Sequence, residues 1–181
     1  MAALLPTRLI PAALLLGALA PVLAGCGDGT DDKFAPACPG IAIVRDAADL
    51  SRFRGTGRDL TDAVLTGRIT NAGGSCKRDG ADTVVTVVQV GIELTRGPAS
   101  PGRQAQLAYF VAVLDRERIL DKQVFRLNAE FPANADRLRL TGDEVELRLP
   151  VRPNKTAAAY RIQVGFQLSP VELDVNRRRG G

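Results

Sequence analysis

The amino-acid sequence predicts an all-β domain: an antiparallel sandwich of about seven strands with two short helices. Three observations carry this. Strand-like runs rich in Val, Ile, Leu and Phe recur at regular spacing over residues 38–176. Gly and Pro, 18 and 11 in the chain, gather between those runs, as at Gly97-Pro98, Pro101-Gly102, Pro150 and Pro153. Residues 160–168 alternate with apolar side chains at every even position, the period of a strand with one buried face. Such a pattern implies an immunoglobulin-like or fibronectin-like layer arrangement. The chain has no tryptophan, so the Cys-Trp-Cys core of true immunoglobulin domains is absent.

The first 25 residues stand apart from this domain. Residues 1–8 carry one cation, Arg8, and no acid; residues 9–23 are almost wholly aliphatic; Ala24 and Gly25 are small. These are the three parts of a secretory signal peptide. A spanning helix needs roughly 20 apolar residues, and this run is shorter and is interrupted by Pro11 and Pro21. Leu23-Ala24-Gly25-Cys26 resembles the lipobox of bacterial lipoproteins residue for residue. The resemblance implies cleavage between Gly25 and Cys26 and a thioether-linked diacylglycerol on Cys26, which stays as the acylated N-terminus. Two or more acyl chains, such as this lipid with an added palmitate, anchor stably where one does not. Residues 26–37 then read as a lipidated tether. Its eleven residues after Cys26 have a reach on the order of 18 Å, which keeps the domain close to its membrane.

The mature chain begins its folded part at Cys38-Pro39-Gly40, which introduces a short β-rich run, Ile41-Ala42-Ile43-Val44. Residues 46–53 predict a short helix, with Asp46 at the N-cap, Asp49 in the first turn, and Leu50 and Phe53 on one face. Arg52, Arg54 and Arg58 crowd the segment that follows; they are a candidate contact for an anionic head group or phosphate, or else a solvated loop. Residues 62–71 alternate loosely, and Ala72-Gly73-Gly74-Ser75 predicts a turn before Cys76.

Residues 83–95 form the clearest long strand, with Val84, Val88, Val90, Ile92 and Leu94 on one face. Residues 107–114 are apolar on both faces and predict a central strand whose second face is covered. Left uncovered, that strand would offer Tyr109, Val111 and Val113 as a partner face. A polar connection at 115–118 leads to a strand at 119–131 with Phe125, Leu127, Ala129 and Phe131 inward. Leu138 and Leu140 are even, Val145, Leu147 and Leu149 odd, so the inward register flips near Gly142, as at a bulge or tight turn. Asp143, Glu144 and Glu146 read as a solvated edge. After the 160–168 strand, Ser169-Pro170-Val171-Glu172 predicts a capping box and a closing helical turn or two ending by Asn176. Residues 177–181 read as a disordered basic tail.

Composition limits the chemistry. The mature 156 residues hold 23 basic and 20 acidic side chains, mixed in sign, which is no nucleic-acid footprint. There is no histidine, which removes Ser-His-Asp, Cys-His and imidazole-metal sites. With Cys26 acylated, Cys38 and Cys76 remain and are expected to pair in an oxidising compartment. The bridge would close a loop of about 39 residues, worth roughly 4 kcal/mol. No metal, cofactor or catalytic residue is expected. A second, scattered resemblance joins Cys38-Pro39, the Asp46-Ala47-Ala48-Asp49-Leu50 motif and Val164-Gly165-Phe166-Gln167-Leu168: it is similar to small proteobacterial lipoproteins, and it implies localisation without supplying a site. The expected protein is a non-enzymatic binding or scaffolding lipoprotein of the cell envelope. It would sit on the inner or outer membrane with its domain in the periplasm and a protein partner there. The alternative is a lipoprotein that holds a lipid or small amphiphile between its sheets.

Overall fold

The computed structural model describes residues 37–179. The lipobox, Gly25, Cys26 and the tether up to Pro36 lie outside the described residues. Nine strands occur among the described residues: β1 (Gly40–Ile43), β2 (Asp49–Phe53), β3 (Ala63–Asp79), β4 (Thr83–Arg96), β5 (Gln104–Asp115), β6 (Arg118–Glu130), β7 (Arg137–Thr141), β8 (Val145–Pro150) and β9 (Tyr160–Phe166). One α-helix, α1 (Pro170–Arg179), closes the chain. The first sheet has the order β1-β9-β5-β6; the second has β2-β3-β4, with β7 and β8 both on the far side of β4. Every pairing is antiparallel except β1 with β9.

Alternation explains why the two sheets share one core. Val88, Val90, Ile92 and Leu94 of β4 join Leu147 and Leu149 of β8, and these meet Tyr109 and Val111 of β5 and Ile162 and Val164 of β9. The other face of β5 is covered too, with Ala112 and Leu114 buried, as the two-sided apolar run predicts. In β4, the inward Thr86 is only 1% exposed, and its hydroxyl has no hydrogen-bond partner among the described residues. A buried, unpartnered hydroxyl costs on the order of 1–3 kcal/mol. Replacing it with a methyl of nearly the same shape, Thr86→Val, should therefore stabilise the domain by about 1 kcal/mol in a urea titration. A loss of stability would show that the hydroxyl is solvated after all.

Three local expectations change. Residues 46–53 are not a helix: a 3-10 turn at Arg45–Ala47 leads directly into β2, and no side chain caps that turn. Eight residues are too few to sustain a helix alone, whereas the open side of β3 offers a ladder from Asp49 opposite Arg68 to Phe53 opposite Ala63. Ala72-Gly73-Gly74-Ser75 is not a turn either. The strand continues through it to Asp79, and the turn falls at Gly80, whose φ is +72°. Gly74 permits a close backbone approach instead, since a Cβ there would lie 1.9 Å from the Val87 carbonyl oxygen. The helix α1 also runs past Asn176 to Arg179, so the described part of the basic tail is helical.

The register flip near Gly142 is a bulge in a single edge. Thr141 lies opposite Gly91 and Val145 opposite Val88, so the three residues that join β7 to β8 span two of β4. The Gly142 amide still donates to the Val90 carbonyl at 2.8 Å.

Candidate functional site

Among the described residues, β6 is a long edge strand with little cover. The connection before it turns at Arg116, which has φ +56°, and β6 then pairs with β5 from Arg118 opposite Asp115 to Glu130 opposite Gln104. Its second half is an ordinary sandwich strand: Ala129 is buried, Phe125 and Leu127 are half-buried, and Phe125 stacks on Tyr109 at 5.2 Å. Its first half is not. Residues 118–124 are exposed on both faces, with Ile119 at 59%, Leu120 at 43% and Val124 at 45%.

The β6 edge carries the thirteen residues of that strand with no strand on its outer side among the described residues. The other edges are short, interrupted or guarded, apart from β3 beyond Arg68, which β2 does not reach. β1 has four residues. The bulge at Gly142 interrupts the β7 and β8 edge. Helix α1 guards β2, where the Asn176 side-chain amide donates to the carbonyls of Asp46 (2.9 Å) and Asp49 (2.6 Å). Glu172 pairs with Arg52 at 2.8 Å.

The expected capping box sets that guard in place. The Ser169 amide donates to Glu172 Oε2 at 2.7 Å, and the Glu172 amide donates back to Ser169 Oγ at 3.3 Å. Burial pushes the Glu172 carboxyl up, but the Ser169 amide and hydroxyl and the Arg52 guanidinium together outweigh it and hold the carboxyl below its ordinary value of 4.5. Its stabilising effect is thus full above pH 4.5 and is lost as the pH falls through the lower folded value. Glu172→Ala should cost about 1 kcal/mol at neutral pH. The gap to the parent protein should narrow in unfolding curves taken below pH 4.5; a gap independent of pH would contradict the assignment.

The sequence-based candidate residues fall as follows. Tyr109, Val111 and Val113 do not form a partner face: at 1%, 1% and 5% exposure they line the core, because their side of β5 is the one the second sheet covers. Arg52, Arg54 and Arg58 do not converge on an anion. Arg52 is held by Glu172 and the Gln106 carbonyl, Arg54 donates to the Ala99 carbonyl, and Arg58 lies over the Phe53 ring at 5.5 Å. Cys38 and Cys76 are joined, with Cα atoms 5.8 Å apart. Cys76 lies within β3, so the bridge ties the segment before β1 to the neighbouring sheet. Among the described residues no group of three His, Cys, Asp or Glu side chains is placed to hold a metal. Neither is any helix there long and apolar enough to cross a membrane.

Comparison with protein-family models, with curated proteins and with solved structures gives no match. The β6 edge therefore stands on its own chemistry. Lys122 sits 4.4 Å from the Phe110 ring centroid on the outer face, and Arg126 occupies the same face two pairs along. An added strand would meet free N–H and C=O groups, apolar side chains and two cations. The sequence carries a signal for this: strict alternation in this strand begins only near Phe125, and Ile119-Leu120-Asp121-Lys122-Gln123-Val124 lacks the period of a half-buried strand.

Proposed function

We propose that this chain is a membrane-anchored lipoprotein of the bacterial cell envelope whose domain, in the periplasm, binds or scaffolds another envelope protein by strand addition at the β6 edge. The lipobox and Cys26 support the anchor. The observation that carries the binding mode is the exposure of Ile119, Leu120 and Val124 on an unpaired strand. Exposed apolar side chains on a long free edge are a liability unless a partner covers them. Lys122 and Arg126 favour a partner strand with carboxylates, and no catalytic step is assigned. We read the architecture as immunoglobulin-like or fibronectin-like in its two alternating layers. Its parallel β1 and β9 pair and its end-placed disulfide are departures from that plan. The alternative, an amphiphile held between the sheets, draws no support from the interior, where Tyr109, Phe131 and Phe166 are fully packed.

The test is photo-crosslinking in intact cells from position 124, compared with position 60, which is exposed near the opposite end of the strands. The expected outcome is a discrete adduct from 124 that is absent from 60 and disappears in Leu120→Lys. Uncrosslinked monomer from 124, or the same adducts from both positions, would sink the edge reading. The anchor is read separately, by loss of membrane fractionation in Cys26→Ala.

A further inference from the structure

The two ends of the sandwich differ in how their cations are paired, and the described chain starts at one of them. Cys38 precedes β1 by two residues and is bonded to Cys76, close to the β3–β4 turn. Register places the rest of that end: Gly40 lies opposite Arg161, Arg161 opposite Leu114, and Asp115 opposite Arg118. The Tyr160 hydroxyl donates to the Pro150 carbonyl at 2.7 Å, which ties the second sheet to the same end.

An open cleft of about 1450 Å³ lies there, and its charged lining is Arg116, Arg118, Arg152, Lys155 and Arg161 against Asp115 and Glu117. Lys155 neutralises Asp115 at 2.6 Å. Arg161 donates to the Arg116 carbonyl at 2.9 Å, while Arg116, Arg118 and Arg152 have no carboxylate within ion-pair distance among the described residues. At the opposite end Arg96 pairs with Asp136 and Arg103 with Glu130, while Arg54 and Arg58, which have no carboxylate partner among the described residues, donate to the Ala99 and Gly57 carbonyls.

We infer that the end of the domain bearing the Cys38–Cys76 bridge is a docking surface for anionic phospholipid headgroups, which stands the sandwich upright on the membrane with β6 facing sideways. The inference rests on the anchored reading above. Two things select the lipid surface as occupant: the unpaired guanidiniums, and the place where the chain leaves the domain toward Cys26. Each such cation near an anionic leaflet strengthens attachment about fivefold. The field dies away within about 8 Å at physiological salt, so only the end held at the surface by the tether can use it.

Hydrogen exchange on the lipidated full chain tests this. The chain is reconstituted in phosphatidylcholine vesicles, or in vesicles of equal parts phosphatidylcholine and phosphatidylglycerol. Amides at 115–118 and 152–159 should exchange about fivefold more slowly on the anionic vesicles. High salt should erase the difference, as should Arg116→Glu with Arg152→Glu at unchanged melting temperature. Equal exchange on both vesicles, with the chain attached to both, would overturn the inference. Slowing by inorganic phosphate alone would overturn it in favour of a free-anion site. A chain that does not sediment with phosphatidylcholine vesicles overturns the anchor instead; slowed exchange on the anionic vesicles would then still support the surface, and its absence would overturn it.

Discussion

Reducing the Cys38–Cys76 bridge should lower the unfolding free energy by about 4 kcal/mol. The bond closes a separation of 38 residues, and its loss returns that freedom to the unfolded chain. With a slope of about 2 kcal/mol per molar, the urea midpoint should fall by about 2 M. Cys38 is exposed, so a mild reductant has access to it. The loss should also have a local signature. β1 has four residues and pairs only with β9; without the bridge, amides at 40–43 should exchange faster than those of Ile162 and Val164. A midpoint unmoved by reduction would show that the segment before β1 contributes nothing to folding.

Tyr109→Ala should cost about 4 kcal/mol, in the range found for truncating buried aromatic side chains. The ring is packed on Phe125, and the Gly142 backbone closes over its hydroxyl, where a Cβ at residue 142 would come within 2.5 Å of it. A surface residue of a partner face would behave differently, losing binding with little change in stability, so an urea titration separates the two roles. The phenol adds a pH dependence. Burial, and secondarily the charge of Asp143, raise it above its ordinary value of 10.0. The neutral form is favoured in the folded state, so stability is full below pH 10 and is lost as the pH rises through the higher folded value. Tyr109→Phe should flatten that alkaline limb; an unchanged limb would place the titration elsewhere.

The elements that sequence reasoning reads well are those whose side chains alternate against a single covering layer. β9, the second half of β6 and the bulge at Gly142 all follow from parity alone, since a strand residue on the wrong face has nowhere to go. The capping box at Ser169 and Glu172 is equally legible, because its two hydrogen bonds depend on residues three apart. β2 and the middle of β3 are not legible in this way. Leu50 and Phe53 share a face of a helix but fall on opposite faces of a regular strand, and only the neighbouring β3, with a register shift between Arg52 and Phe53, decides for the strand. Gly73 and Gly74 look like a turn because nothing local reveals that Val87 will press against them. The candidate site divides along the same line. The Arg52 to Arg58 cluster is conspicuous in sequence, yet its donors are spent on Glu172 and carbonyls brought from other elements. Arg116, Arg152 and Arg161 are scattered in sequence and meet because the β5–β6 turn, the loop after β8 and the start of β9 come to one end of the domain.

The Cys38–Cys76 bridge also sits on a second open stretch of backbone. Strand-by-strand growth into a fibre requires each molecule to offer two open edges, one to receive and one to donate. Here β1 is short, β2 lies under α1 and the bulge interrupts the β7 and β8 edge, but β2 covers β3 only as far as Arg68, so β3 is open on that side from there to Asp79, with Cys38 bonded to it at Cys76. On the proposed strand-addition reading, the Cys38–Cys76 bridge is the obstruction on that second stretch, and strand-by-strand growth would have to pass it.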